Sequence, residues 1–285
     1  MIDLVFSLRG ARRILGVMHR AIFLASMACI VCVSATAAQI ASPTDRPLAT
    51  DRPDRTESPF SVPKGWFQFE SDLVSRGEFS DEGTTVTGTS IASLNLKYGV
   101  TRRMDVQFLF SPWVSVQRKA PGVPDDTDDG TGQAGVRAKF NLTGNDTGDV
   151  AAALLPFVFV PTRGDAILDS PTWGIVTPVG IDLGGGRAMS SMLGVMSVES
   201  DDTWVIGSVS FATPIAGSFA GFFELYVARA GFESDALEDV TADTGVTFAP
   251  SDDWQFDVGV YYGIAESTED WRVFAGASAR FPLSR

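Results

Sequence analysis

Apolar and polar side chains alternate with a period of two, segment after segment, from Trp66 to the carboxyl end. Phe67, Phe69 and Leu73 fall on one side of an extended chain, and Gln68, Glu70 and Asp72 on the other. Leu94, Leu96, Tyr98 and Val100 oppose Ser93, Asn95, Lys97 and Gly99; Val106, Phe108 and Phe110 oppose Asp105 and Gln107. Val136, Ala138, Phe140 and Leu142 likewise oppose Arg137, Lys139 and Asn141. Near the end, Trp254, Phe256, Val258, Val260 and Tyr262 oppose Gln255, Asp257, Gly259 and Tyr261, and Val273 to Phe281 oppose Arg272, Gly276, Ser278 and Arg280. No segment sustains a helical period, so the chain reads as all-β, each strand with one apolar and one polar face.

Turn-forming residues divide it into about twelve segments, within a range of 10–14: 65–77, 89–99, 104–118, 132–142, 149–161, 172–183, 187–199, 203–214, 218–232, 240–249, 253–265 and 271–283. The connections alternate in character. Gly99–Arg103, Leu142–Asp149, Leu183–Arg187, Pro214–Ser218 and Ala249–Asp253 are short and turn-like. Those between them are longer and acidic, carrying Glu78, Asp81 and Glu82; Asp125, Asp126, Asp128 and Asp129; Asp165 and Asp169; Glu199, Asp201 and Asp202; Glu233, Asp235, Glu238 and Asp239; and Glu266, Glu269 and Asp270. Short turns at one end, long loops at the other and an even strand number predict a transmembrane antiparallel up-and-down β-barrel of the outer-membrane type. Trp66 and Trp254 at the short-turn end, with Trp113, Trp173, Trp204 and Trp271 toward the long-loop end, read as two interfacial girdles.

The longest apolar run, Ala151–Pro161, is about half the roughly 20 residues a spanning helix needs, and Pro156 interrupts it. Any membrane is therefore crossed by strands. His19 and Arg20 after a second Met at position 18, the apolar stretch Ala21–Val33, and Ala35-Thr36-Ala37-Ala38 have the plan of a cleaved secretory signal, residues 1–38. Residues 39–64 then form an amino-terminal extension, and residues 65–285 the barrel. The only His, His19, and both Cys, Cys29 and Cys32, lie within that signal, leaving the exported chain without imidazole or thiol.

These absences bear on chemistry. Ser-His and Cys-His nucleophile pairs cannot be assembled, so no catalytic residue is assigned and the chain is not read as an enzyme. Net charge of -13 repels polyphosphate, which excludes nucleic acid as a partner. The run Asp125-Asp126-Thr127-Asp128-Asp129-Gly130 lacks the acidic residue that closes a calcium loop, Val136 standing in its place, so no metal ligand or cofactor is assigned. Gly184-Gly185-Gly186 reads as a tight turn, since no helix follows to make it a phosphate cradle.

Ahead of the first strand stands Thr50-Asp51-Arg52-Pro53-Asp54-Arg55-Thr56-Glu57-Ser58-Pro59-Phe60-Ser61-Val62-Pro63-Lys64-Gly65. The string resembles the bacterial outer-membrane family named for a meta-cleavage pathway of phenol degradation, whose members carry TDRPD-x-TESP-x-x-VP-x-G before the first barrel strand. The resemblance is close over residues 50–70 and rests on strand rhythm and length beyond them. It implies a barrel and suggests small-molecule passage, members usually being called transporters or outer-membrane channels.

Asp51, Arg52, Asp54, Arg55 and Glu57 alternate in sign, and Pro47, Pro53, Pro59 and Pro63 stiffen an extended chain. Such a segment suits a plug across the barrel mouth; a periplasmic tether or a lead-in against the rim is the alternative. The polar strand faces bring Glu70, Asp72, Lys97, Asp105, Arg137, Lys139, Glu224, Asp257, Arg272 and Arg280 to the predicted lumen, a mixed set that leaves charge selectivity modest. Leu154 to Val160 is apolar on both faces, which favours apolar or aromatic cargo.

The expected function is passive passage of small molecules through an outer-membrane channel. A closed structural barrel and a soluble periplasmic ligand-binding β-protein are the alternatives. Expected partners are outer-membrane lipid and lipopolysaccharide, small-molecule cargo, and the barrel assembly machinery, for which the last aromatic is Phe281.

Overall fold

The computed structural model describes residues 46–162, 170–198, 202–231 and 238–283. The expected signal with His19, Cys29 and Cys32, and the loop acids Asp165, Asp169, Glu199, Asp201, Glu233 and Asp235, lie outside the described residues. Among the described residues, fourteen strands form one antiparallel sheet: β1 (Trp66–Asp81), β2 (Thr84–Thr101), β3 (Met104–Phe110), β4 (Trp113–Lys119), β5 (Asp126–Gly130), β6 (Ala134–Thr143), β7 (Val150–Val160), β8 (Thr172–Gly184), β9 (Arg187–Val198), β10 (Asp202–Ala216), β11 (Phe219–Ala230), β12 (Glu238–Ser251), β13 (Trp254–Gly263) and β14 (Trp271–Pro282).

β1 pairs with both β2 and β14, so the sheet closes on itself and leaves no free edge around the barrel. Twelve strands make the closed wall and two are additional. β4 continues β3 along β2, and β5 continues β6 alongside β4. The break between β3 and β4 falls at Ser111-Pro112, where proline has no N–H for the ladder. A matching break at residues 131–133 faces it, joined to it by Gly132 N donating to Ser111 O at 2.8 Å.

The fold class and strand rhythm agree with the alternation in the sequence; three local readings are corrected. The acidic run Asp126–Gly130, expected as loop, is strand β5, because β4 offers it a hydrogen-bonded edge beyond the wall. The expected loop around Asp81 and Glu82 is a two-residue hairpin turn, with Glu82 and Gly83 both at positive φ (45° and 82°), a geometry that suits the twist of the flanking strands. Trp204, expected in an interfacial girdle, is fully buried in the barrel interior.

Outward positions are apolar, among them Phe108, Val136, Leu193, Leu225 and Val258, all exposed, as a lipid-facing wall requires. Inward positions divide in two. Toward the long-loop end, Leu155, Phe157 and Phe159 of β7, Val176, Met192, Met196, Trp204 and Ile206 form a buried apolar cluster along β7–β10. Much of the remaining inward face is polar. The ladder on both sides of β7 is interrupted at a proline: the β6–β7 pairing skips from Arg137↔Phe157 to Phe140↔Leu154 around Pro156, and the β7–β8 pairing from Ala152↔Val179 to Leu155↔Val176 around Pro178. Outside this wall lies a groove of about 830 Å³, lined by Leu96, Tyr98, Val106, Phe108, Val136 and Pro156 among others.

Residues 46–64 enter the barrel from its short-turn end and return to it before β1. Leu48 N donates to Asp252 O at 2.8 Å in the β12–β13 turn, and Lys64 forms a parallel bridge with Gly99 near the β2–β3 turn. Glycine is required at 99, because a Cβ there would lie 2.0 Å from the Pro63 carbonyl oxygen. Gly99→Val should keep the barrel's heat-modifiable gel mobility yet unseat the segment at a cost of about 1–3 kcal/mol. The check is trypsin cleavage after Arg55, expected to quicken by about five- to hundredfold.

Candidate functional site in the barrel lumen

The polar half of the lumen is built around Asp51. Its carboxylate accepts from Lys97 Nζ of β2 at 2.5 Å, and from Arg137 Nη2 and Lys139 Nζ of β6 at 2.8 and 2.6 Å. All four side chains are at most 4% exposed. Lys97 also pairs with Glu70, and Arg137 with Glu57. Burial alone would raise the Asp51 carboxyl, but Lys139, Lys97 and Arg137 together hold it well below the usual carboxylate range. Ser58 N closes a loop of the segment onto the same carboxylate at 2.9 Å.

The opposite wall is acidic. Arg52 pairs with Asp72 of β1 and, at 2.7 Å, with Asp257 of β13. Arg55 reaches Asp239 of β12 at 2.7 Å, with its guanidinium carbon 3.6 Å from the Tyr226 ring centre. Glu224 of β11 accepts the backbone N–H groups of Arg55 and Thr56 at 2.7 and 2.8 Å. The alternating signs of the segment thus meet two walls of opposite sign: Asp51 and Glu57 face the basic strands, Arg52 and Arg55 the acidic ones.

Further bonds hold the limbs. Val62 N donates to Asp105 at 2.8 Å, Asn141 Nδ2 to Pro59 O at 2.9 Å, and Tyr261 to Pro53 O at 2.9 Å. Arg46 bridges Asn145 O and Ser61 O, each at 2.6 Å.

Of the ten candidate lumen residues, eight stand in this network: Glu70, Asp72, Lys97, Asp105, Arg137, Lys139, Glu224 and Asp257. Two lie apart. Arg272 is buried toward the long-loop end, bidentate to Glu269 at 2.7 and 2.8 Å. Arg280 sits toward the short turns, with Asp253 at 2.8 Å, and also donates to the Arg46 carbonyl. Four segment candidates, Asp51, Arg52, Arg55 and Glu57, form ion pairs. Asp54 lies near Glu224 without a cation of its own among the described residues.

Asp239, expected in an outer loop, belongs to β12 and faces Arg55. With it comes Asp243, absent from the sequence reading and fully buried. The alternation Asp239, Thr241, Asp243 against Val240 and Ala242 is the signal that could have found both.

Asp51→Asn leaves three buried cations short of their shared anion. The segment should then be destabilised by about 3 kcal/mol, read as trypsin cleavage after Arg55 quickened by about a hundredfold, with Asp51→Glu closer to the parent protein.

Solved outer-membrane barrels align with the chain, the first of them well enough to show the same fold. One is an outer membrane channel from Pseudomonas putida F1, at a TM-score of 0.58 and 14% identity over 78% of this chain and 97% of that one. The β domain of a Bordetella autotransporter aligns at a TM-score of 0.48 and 16% identity, over 76% of this chain and 98% of its own. CymD, a monoaromatic hydrocarbon channel, aligns at 0.41 and 8% identity, over 79% and 90%. No curated protein matches the chain. Residues 50–281, from the sign-alternating segment through the last strand, match the family described as "Putative MetA-pathway of phenol degradation", and the chain belongs to that family.

Proposed function

We propose that the protein is an outer-membrane channel for small apolar or aromatic molecules, with residues 46–64 standing in its lumen as a plug. The observation that carries this reading is the division of the interior. A lumen meant only for ions and polar solutes has no use for a wall of Leu155, Phe157, Phe159, Met196, Trp204 and Ile206. These side chains pack on one another in the structure, and a solute that parted them would gain the burial and ring contacts it lacks in water. The Pseudomonas putida protein that shares the barrel fold is itself a channel, which agrees with this reading. The outer groove beside Pro156 adds an apolar surface where lipid-dissolved cargo could gather.

A closed structural barrel is the second reading, favoured by the density of ion pairs across the lumen. Planar-bilayer recordings separate the two. Deleting residues 45–60 should raise the single-channel conductance; insertion without current in both parent and deleted protein would favour the closed barrel. Phenolic and alkyl solutes should block the deleted protein's current, and Trp204→Ala should weaken that block by about 1–2 kcal/mol through lost apolar contact. Block unchanged by Trp204→Ala would remove the apolar wall from the transport path.

A further inference from the structure

We propose that residues 51–57 stay seated in the lumen only while a proton is held among the carboxyls of Asp54, Glu224 and Asp243, so that rising pH releases the segment. The inference rests on the reading of that segment as a plug.

Glu224 and Asp243 stand directly opposite each other across the β11–β12 ladder, both fully buried. Residues so paired have their Cβ atoms about 5 Å apart. Glu224 is drawn onto the segment by the N–H groups of Arg55 and Thr56, which brings it beside Asp54. Asp239, two residues before Thr241 on the same face of β12, completes a group of four carboxyls.

Among the described residues, one cation pairs with them. Arg55 is paired with Asp239 and runs over Tyr226. From the rest of the segment, Arg52 is held by Asp72 of β1 and Asp257 of β13, while Asp51 faces Lys97, Arg137 and Lys139 on the far wall. β13 also presents Tyr261, hydrogen-bonded to Pro53 O, and the two arginines of β14, Arg272 and Arg280, are paired with Glu269 and Asp253. β10 contributes the hydroxyls of Ser208 and Ser210, which do not titrate in this range. Neighbouring buried carboxyls with so little compensating charge cannot all ionise.

Burial, reinforced by Glu224, pushes the Asp54 carboxyl from its ordinary 3.8 up to about 8. Once released, the same carboxyl is in water and returns to its ordinary value. The seated state therefore holds a proton that the released state does not. Its contribution to seating is complete below the ordinary value and is lost as pH rises through about 8. The release equilibrium shifts by at most about tenfold per pH unit within that window. Asp51, held low by its three cations, stays ionised throughout and does not oppose the trend.

The test is open probability of the full barrel protein in planar bilayers from about pH 6 to about pH 9, beside the protein lacking residues 45–60. The parent should open at least about tenfold more often at the alkaline end. Asp54→Asn, lying outside every strand, should flatten the profile and keep the alkaline current low. Asp243→Asn should move the midpoint upward. A flat parent profile, or one whose midpoint neither substitution moves, overturns the inference while a raised current in the deleted protein leaves the plug standing. A deleted protein with unchanged current removes the plug itself, and the inference with it.

Discussion

Three buried cations from two strands converge on the single carboxylate of Asp51, and the polar half of the lumen depends on that convergence. Lys97, Arg137 and Lys139 project from β2 and β6 into a space too narrow to hydrate them separately. Glu70 and Glu57 share part of their charge, yet without Asp51 the three would repel one another in a medium far less polar than water. The barrel wall and the amino-terminal segment are therefore not independent parts. The wall carries a charge excess on one side that only the segment neutralises, and the segment has no comparable partner outside the wall.

The opposite side shows the same logic with the signs reversed and a poorer balance. Arg52 and Arg55 supply the cations, but the strands β11, β12 and β13 present more carboxyls than these two can satisfy. The segment's carboxylate is thus matched by three cations on its basic side, while carboxyls outnumber its arginines on the acidic side.

Much of this architecture was legible in the amino-acid order. Alternation along 66–73, 94–100, 136–142 and 272–281 reports side-chain direction, because a strand gives its residues only two faces. The sign pattern of residues 51–57 likewise suggested a chain that pairs with lumen charges. What the order did not reveal is which charge meets which. Asp51 and Asp54 are the same residue type three positions apart, and only the closed barrel decides that one faces three cations and the other a carboxyl. Trp204 was misread for a related reason: an aromatic near a strand end suits an interface and a packed interior equally well, and its neighbours across the lumen are far away in sequence. β5 was missed because Asp and Gly have little strand propensity, and here the edge of β4 overrides it.

The division of the interior also bears on how cargo and segment can share one barrel. The ion pairs of the segment reach β1, β2, β6, β12 and β13, whereas the apolar cluster lies chiefly along β7–β10. On the proposed reading, an apolar molecule that parts this cluster gains contacts with Phe157, Phe159 and Trp204, yet it lies beside Arg137, which stands opposite Phe157 in the β6–β7 ladder, and displacing the segment then costs the separation of buried charges. Beside the same apolar wall, Pro156 and Pro178 deprive β7 of ladder bonds on both edges, so the wall is least stiff where its interior is most apolar. On the proposed reading, two kinds of physics share one lumen: burial of apolar surface selects the cargo, and the balance of buried charge holds the segment in its way.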